Sequence, residues 1–593
     1  MIRYVKTSSR DSFRRSEEKK DMRIRAVSTM LAVVFVLVIA KLFVLMVFQH
    51  NFYTALASGS HEMSAELFPS RGSVYIQDSR TGEEFPLAIN KDMFLMFADT
   101  RDILDEKMAE DVAEKLAEVL KYDDEKKLSV FMQLKKSGDP YEPIEQKLDE
   151  DVYEQIRDLE LPSIHFLRRP HRFYPEGNLA AQIIGFLGKD EKGNDIGSYG
   201  IEGYWQRELA GSGGFLEGIR SAQGSWISLA GRIFKPAMDG VDLVLTIDRT
   251  LQFMACEKLK EKQEEYGAQS ASLVIMDPQT GAILAMCSYP DFDPNEYGLV
   301  ENVNAYNNTN IFTPYEPGSV FKPIAMAGAL NEKILEPDSR FYDIGSVDVG
   351  CSKLIYNADG KKYGEQTMVG VLENSINTGM VYVAQKLGKE KFVNYIEKFG
   401  FGVKTGIGLS VENSGTIESM YRNQKDKFDC YTATASFGQG LTVTPLQLVT
   451  AFGAIANGGK LMKPYIVKEV RYGEGKVETT KPEEIRTVID KHASSLLAGM
   501  LVRVIDTGTA SLARVPGYYV AGKTGTAQIA GPGGYTDETN HSFVGFGPVD
   551  DPKFVMIVKF EKPHRAFSST TAAPTFAEIA KFIMQYYQIP PGR

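Results

Sequence analysis

Three short runs of this 593-residue chain hold side chains suited to acyl transfer: Ser319-Val320-Phe321-Lys322, Ser375-Ile376-Asn377 and Lys523-Thr524-Gly525-Thr526. A serine hydroxyl is a weak nucleophile until a base takes its proton. A lysine can be that base when burial and a second cation disfavour its ammonium form. Lys322 shares a helix face with Ser319 if the serine opens a helix, and Lys523 is the candidate second cation. Ser375 and Asn377 offer a hydroxyl and an amide inside a helical pattern from Val371 to Met380. Small polar residues are poor choices there unless they face a cleft or interrupt the helix. On a strand, Thr524 and Thr526 would turn both hydroxyls to one side, able to grip a carboxylate, while Gly525 lets a ligand or helix approach the backbone.

Taken singly, each run has an ordinary explanation: a helix cap at Ser319, a turn between helices at Ser375, an exposed edge strand at Lys523. Copies elsewhere make the point. Ser16 to Lys19 repeats Ser-x-x-Lys in a charged tail, and Lys404 to Gly406 repeats Lys-Thr-Gly in a glycine-punctuated turn. What carries the signal is the ordered combination, with 56 residues from Ser319 to Ser375 and 148 from there to Lys523.

The elements that must position these residues are also legible. Pro317-Gly318 before Ser319, with Pro323 and an apolar run to Leu330 after it, places the serine at a helix amino terminus. Lys523 ends a strand run, Tyr518 to Ala521, with further strands at Ser542 to Phe546 and Phe554 to Phe560. Ser272 to Met276 and Ala282 to Met286, joined by Asp277-Pro278-Gln279-Thr280-Gly281, predict a hairpin. Helices are predicted between the strand groups at Met368 to Leu387 and Leu446 to Ala456. Strands at both ends of a domain with helices between give an α+β class with one antiparallel sheet. Upstream, Ile103, Met108, Val112, Leu116 and Leu120 mark an amphipathic surface helix. Loop-forming residues around 231–240 suggest a boundary between a first domain at 51–235 and a second at 241–593.

A net charge of -10 argues against nucleic acid as a partner. Between Arg3 and Arg25, nine Lys and Arg face four Asp and Glu, and an apolar run from Ala26 to Phe48 follows, broken by Lys41. As a helix that run spans roughly 34 Å, enough for a bilayer core. The expectation is a cytoplasmic tail at 1–25, a single transmembrane helix at 26–48 and an extracytoplasmic remainder. The alternative, a cleaved signal peptide ending at Ala55-Leu56-Ala57, has too long an apolar run. Of the four cysteines, Cys256, Cys287, Cys351 and Cys430, three could be core residues; an extracytoplasmic location permits a disulfide, with Cys351 and Cys430 the candidate pair. No metal or cofactor is called for.

The motif set is that of penicillin-binding proteins and class A β-lactamases, and the chain resembles the class B penicillin-binding proteins, single-pass transpeptidases of bacterial cell walls. Further matching runs are Arg71-Gly72-Ser73-Val74, Arg172-Phe173-Tyr174-Pro175 with Gly185, Gly200-Ile201-Glu202-Gly203, Tyr315-Glu316-Pro317-Gly318, Gly438-Gln439-Gly440, Thr444-Pro445-Leu446-Gln447 and Asn457-Gly458-Gly459. The resemblance implies that Ser319 attacks the penultimate D-alanine carbonyl of a peptidoglycan stem peptide, with Lys322 as base and Ser375 and Lys523 relaying the proton. It implies that Asn377 holds the peptide amide, that Thr524, Gly525 and Thr526 bind the carboxylate end, and that the backbone N–H groups of Ser319 and Thr526 form an oxyanion hole. β-Lactams would be inhibitors. A first domain too small to polymerise glycan would serve as a pedestal, leaving polymerisation to a polytopic glycosyltransferase met, with other divisome membrane proteins, through the anchor helix and pedestal.

Three positions depart from the family pattern: Ile376 stands where many relatives carry Asp, Asn308-Thr309 replaces an Asn-Arg pair, and Gln182 replaces a frequent histidine. The compact first domain and the short segment after the last strand favour the division branch. The competing readings are a β-lactam sensor or a β-lactamase, which would need a base for water, and a catalytically inactive cell-wall scaffold, which intact Ser319, Lys322 and Lys523 oppose.

Overall fold

The run from Asp277 to Gly281 closes the hairpin its composition predicts. The Asp277 carboxylate accepts hydrogen bonds from the Gln279 N–H (2.8 Å) and the Thr280 hydroxyl (2.7 Å). Gly281 takes φ +85°, with the Lys463 carbonyl oxygen 2.4 Å from where a Cβ would stand, so only glycine fits. The flanking strands Ser270–Met276 and Ile283–Tyr289 pair antiparallel, Val274 opposite Met286. Chain from the far end of the domain completes a five-stranded antiparallel sheet in the order Ile283–Tyr289, Ser270–Met276, Phe554–Glu561, Gly534–Gly547, Ala521–Gly531. This is the α+β arrangement expected. The last strand begins at Ala521, after the predicted Tyr518 to Ala521 run, and carries the whole Lys523 to Thr526 motif at the sheet edge.

Both faces of the sheet are covered. Phe554 turns its ring toward Phe576 of the helix Ala572–Tyr586, at 6.2 Å between centroids. Its neighbour Val555, on the opposite face by strand alternation, lies under Gly453 of the helix Pro445–Ala456. That helix starts with a Thr444–Gln447 capping box and buries every residue but its last, as a helix apolar on nearly every side must. The predicted helix at Met368 to Leu387 is two helices, Met368–Glu373 and Asn377–Leu387, broken at Asn374 to Ile376. Cys351 and Cys430 are bonded as expected, and Cys256 on the helix Arg249–Tyr266 is bonded to Cys287 of the edge strand. The latter pair, buried among apolar neighbours, has no local signal to distinguish it from core.

Upstream, Glu106–Leu120 is the predicted amphipathic helix, capped by the Asp105 carboxylate on the Met108 N–H (2.8 Å). Val112 and Leu116 are buried in a separate apolar cluster with Met96 and Leu148. The parallel pairing of Val74–Gln77 with Asp242–Asp248 carries one seven-stranded sheet across the boundary expected at 235–241. The close approach needs glycines: a Cβ on Gly72 would lie 1.9 Å from the Val241 oxygen, and one on Gly240 1.8 Å from the Leu209 oxygen. Three runs distant in sequence also meet on one carboxylate. Glu202, fully buried, accepts from Arg71 Nε at 2.7 Å and Arg172 Nε at 2.6 Å, with the Tyr174 hydroxyl at 3.4 Å.

The computed structural model describes residues 30–31, 34–39, 41, 62–67, 69–136, 138–219, 233–422, 427–531 and 534–592. They fall into two compact units: Met1–Pro69 with Ser212–Met238, and Ser70–Gly211 with Asp239–Arg593. In the first, Glu62–Leu67, Gly214–Ile219 and Ile233–Lys235 form a three-stranded antiparallel sheet; everything above belongs to the second. Of the anchor expected at 26–48, the described residues are helical and exposed. The rest of it, and the 1–25 tail with Ser16, lie outside the described residues. No described helix is long and apolar enough to cross a membrane.

Candidate active site

Ser319 sits in a 3₁₀ turn, Gly318–Phe321, that runs directly into the helix Lys322–Asn331, so the expected helix-start setting is found with a tighter first turn. Gly318 takes φ +59° and donates its N–H to the Gly438 carbonyl at 3.0 Å. A Cβ on Gly438 would lie 2.1 Å from the Gly318 oxygen, which explains a glycine in that distant run. Ser319 is half-buried, and Lys322, one turn on, is fully buried.

The lysine reaches the second motif. Lys322 Nζ lies 2.5 Å from the Ser375 carbonyl oxygen, 2.8 Å from Asn377 Oδ1 and 3.1 Å from Ser375 Oγ. The Asn377 amide is oriented by its own donation to the Tyr356 carbonyl at 3.0 Å. The carbonyl and the amide oxygen can only accept, so two N–H bonds of Lys322 are committed. In the neutral amine this leaves one lone pair for a serine proton. Ser375 presents itself because it sits in the break between helices with φ +56°, a conformation costing about 1–2 kcal/mol outside glycine. Such strain persists where the surroundings hold it.

Lys523 Nζ approaches Ser375 from the other side, at 3.0 Å from Oγ. Donation from Lys523 leaves the Ser375 proton free to point at Lys322. Burial holds the Lys322 ammonium well below its ordinary pKa, with the Lys523 charge adding to the effect; burial alone pulls Lys523 down to about 7. No carboxylate hydrogen-bonds to Lys322, Ser375 or Lys523 among the described residues.

The strand motif explains its glycine. A Cβ on Gly525 would come 2.8 Å from the Pro317 oxygen and 2.9 Å from Val320 Cγ1, so the nucleophile's turn packs directly on this edge strand. Thr526 Oγ1 donates to Ser568 Oγ at 3.0 Å and accepts from its N–H at 3.1 Å, and Thr524 is buried beside Lys523. Ser568 has no motif, so spacing could not find it. Nor could it find Asp343, fully buried, whose carboxylate accepts from the Thr378 hydroxyl (2.6 Å), Asn357 Nδ2 (2.8 Å) and two backbone N–H groups. These contacts tie the loop carrying Tyr356 to the start of the Asn377 helix.

The remaining positions are structural. At the Lys404 decoy, Thr405 and Gly406 donate backbone N–H groups to Glu412 (2.6 and 3.0 Å), closing a loop away from the three motifs. Asn308 caps the short helix Thr309–Phe312, and Gln182 donates to the Pro290 and Ala305 carbonyls, both at 3.1 Å. The one described cluster of possible metal ligands, Asp99, Asp102 and His165, includes none of the motif residues.

Comparison with known proteins places the same pieces together. Residues 271–581 match the family model described as penicillin binding protein transpeptidase domain, and residues 66–245 the penicillin-binding protein dimerisation domain. Stage V sporulation protein D of Bacillus subtilis is 34% identical over 547 residues, covering 91% of this chain and 82% of that protein. A probable peptidoglycan D,D-transpeptidase, PbpC, of Pseudomonas aeruginosa is 29% identical over 591 residues, 97% of each chain. The crystal structure of penicillin binding protein 3 from Mycobacterium tuberculosis, complexed with aztreonam, superposes with a TM-score of 0.66 at 26% identity, over 89% of this chain and 98% of that one.

Proposed function

Because this chain belongs to the class B penicillin-binding proteins, a family of peptidoglycan D,D-transpeptidases, we propose that Ser319 is the hydroxyl its reaction acylates. The observation that carries the assignment is the meeting of two buried lysines on the Ser375 hydroxyl, one of which, Lys322, stands one helical turn from Ser319. Ser319 Oγ attacks the penultimate D-alanine carbonyl as Lys322 takes its proton. The oxyanion is received by the N–H groups of Ser319 and Thr526, each such donor being worth about 3 kcal/mol. Collapse breaks the peptide bond, and the Lys322 proton passes through Ser375 to the departing D-alanine amine, while Lys523 holds Ser375 in place. An amine from a neighbouring stem attacks the ester, gives up a proton along the same route and restores Ser319. Asn377 Nδ2 has a second hydrogen for the peptide carbonyl, and Thr524, Gly525 and Thr526 line the carboxylate end.

Among the described residues no carboxylate contacts the lysines of the site, which favours an amine as acceptor over the activated water a β-lactamase needs. Ser319→Ala should no longer bond covalently to fluorescent penicillin; a labelled Ser319→Ala protein would overturn the assignment. Fast β-lactam turnover by the purified enzyme would favour the β-lactamase reading.

The same reading takes 26–48 as a membrane anchor with the amino terminus in the cytoplasm, the rest outside, and polymerisation left to a polytopic divisome partner. Its setting is the division septum, and depletion should give filaments; round cells would indicate elongation instead. The identity to a protein named for sporulation supports a second setting, the forming spore, where depletion would spare vegetative growth and block spore formation.

A further inference from the structure

Four lysines are buried in the catalytic half of the chain among the described residues. Lys322 and Lys523 form the site, and Lys389 pairs with Asp429 at 2.7 Å. Lys559 has no such assignment. It is 1% exposed, and its ion partner Glu561 is 3.4 Å away and shared with the Ser270 hydroxyl. Burial lowers its pKa. A buried lysine so loosely paired stabilises little, and an apolar replacement often folds as well.

Its place in the sheet suggests what it is for. Residues directly opposite across a sheet share a face, and Gly525, Ser542, Lys559, Ser272 and Ser288 are successive partners across the five strands. Lys559 therefore lies on the face that carries Gly525 and the nucleophile's turn. Its ammonium stands 4.9 Å from the ring centroid of Tyr315, a buried residue four before Ser319. Tyr315 is gripped by backbone bonds in both directions with Val443 (2.9 and 3.0 Å), and Gly318 by Gly438. The run from Tyr315 to Gly318 is thus fixed from the side by 438–443 and from below by Lys559.

We propose that Lys559 is a positioning residue for the nucleophile: its charge, held against the ring of Tyr315, sets the height of the Tyr315 to Gly318 run over the sheet and so aims Ser319 at Thr526. The proposal rests on Ser319 being the nucleophile.

The test is acylation of the full chain, in detergent, by a fluorescent penicillin, separating the first-order rate constant from the apparent dissociation constant. Lys559→Met should keep its melting temperature and noncovalent affinity yet acylate about thirtyfold more slowly, the size of a desolvated cation–π contact, and Lys559→Arg should recover most of that loss. Tyr315→Phe, which keeps the ring, should match the parent, Tyr315→Leu should match Lys559→Met, and the double variant Lys559→Met with Tyr315→Leu should be no slower than the slower single one. Parental acylation by Lys559→Met, or equal losses in Tyr315→Phe and Tyr315→Leu, would overturn the proposal. The two tyrosine variants decide it even if Lys559→Met fails to fold. Labelling of Ser319→Ala would instead unseat the nucleophile itself.

Discussion

Lys322 and Lys523 share one proton network, and the Lys523 charge makes the Lys322 ammonium less favourable, with no carboxylate hydrogen-bonded to either lysine among the described residues. Removing Lys523 takes away a positive neighbour, so the pKa of Lys322 rises. Lys523→Met should therefore move the acid limb of the acylation rate to higher pH as well as slow the reaction; a limb that stays put, measured with penicillin across pH 5 to 10, would mean the two charges do not communicate. The same substitution has a stability signature. Lys523 is pulled from 10.5 to about 7 on folding, so between those values the unfolded chain binds more protons and stability rises with pH. Lys523→Met removes that component, and its unfolding free energy should climb less steeply across the same window.

At the level of elements, the nucleophile's turn rests on an edge strand through a glycine. Gly525→Ala would set a methyl group 2.8 Å from the Pro317 carbonyl oxygen, a backbone atom that cannot swing aside. Acylation should fall by about a hundredfold or more, as a misplacement near 1 Å does, while the sheet stays paired and the melting temperature changes little. Equal acylation rates would show that the turn can ride upward without harm. The sequence displayed this strand, the hairpin and the helix after Ser319 because proline, glycine and apolar spacing act locally. It displayed Ser319, Lys322, Asn377 and Lys523 because they stand in motifs. It left the break at Ser375 as one of two readings inside the helical pattern from Val371 to Met380, and it could not display Ser568, Asp343 and Lys559, whose partners are brought by the fold from 42, 35 and 244 residues away.

Across the whole molecule, Glu202 is the point on which Arg71 and Arg172 depend. Glu202→Ala would leave two guanidinium groups facing a site without a carboxylate, a change that typically costs about 3–5 kcal/mol for a buried pair. Thermal unfolding should drop by several degrees and remain one transition for residues 70–211 and 239–593, which form a single compact unit. Separate transitions would show that the pedestal portion melts by itself.

The joint between residues 70–211 and 239–593 has a further consequence, one that concerns inheritance. Gly72 and Gly240 meet main-chain atoms; Gln182 donates to two carbonyls; Asn295 bonds the N–H and carbonyl of Tyr174. On one side of each contact the partner is backbone, which every sequence supplies. Side-chain pairs cross the joint as well: Arg249 grips Glu176 with two bonds of 3.0 Å, Arg471 holds Glu84 at 2.6 and 2.8 Å, and the Thr250 hydroxyl donates to Asp78 at 2.7 Å. Gene recombination with a crossover near residue 236 would keep the backbone contacts but part Glu84 from Arg471 and Glu176 from Arg249, just as a crossover between 72 and 172 would separate Arg71 from the Arg172 and Glu202 with which it must be inherited.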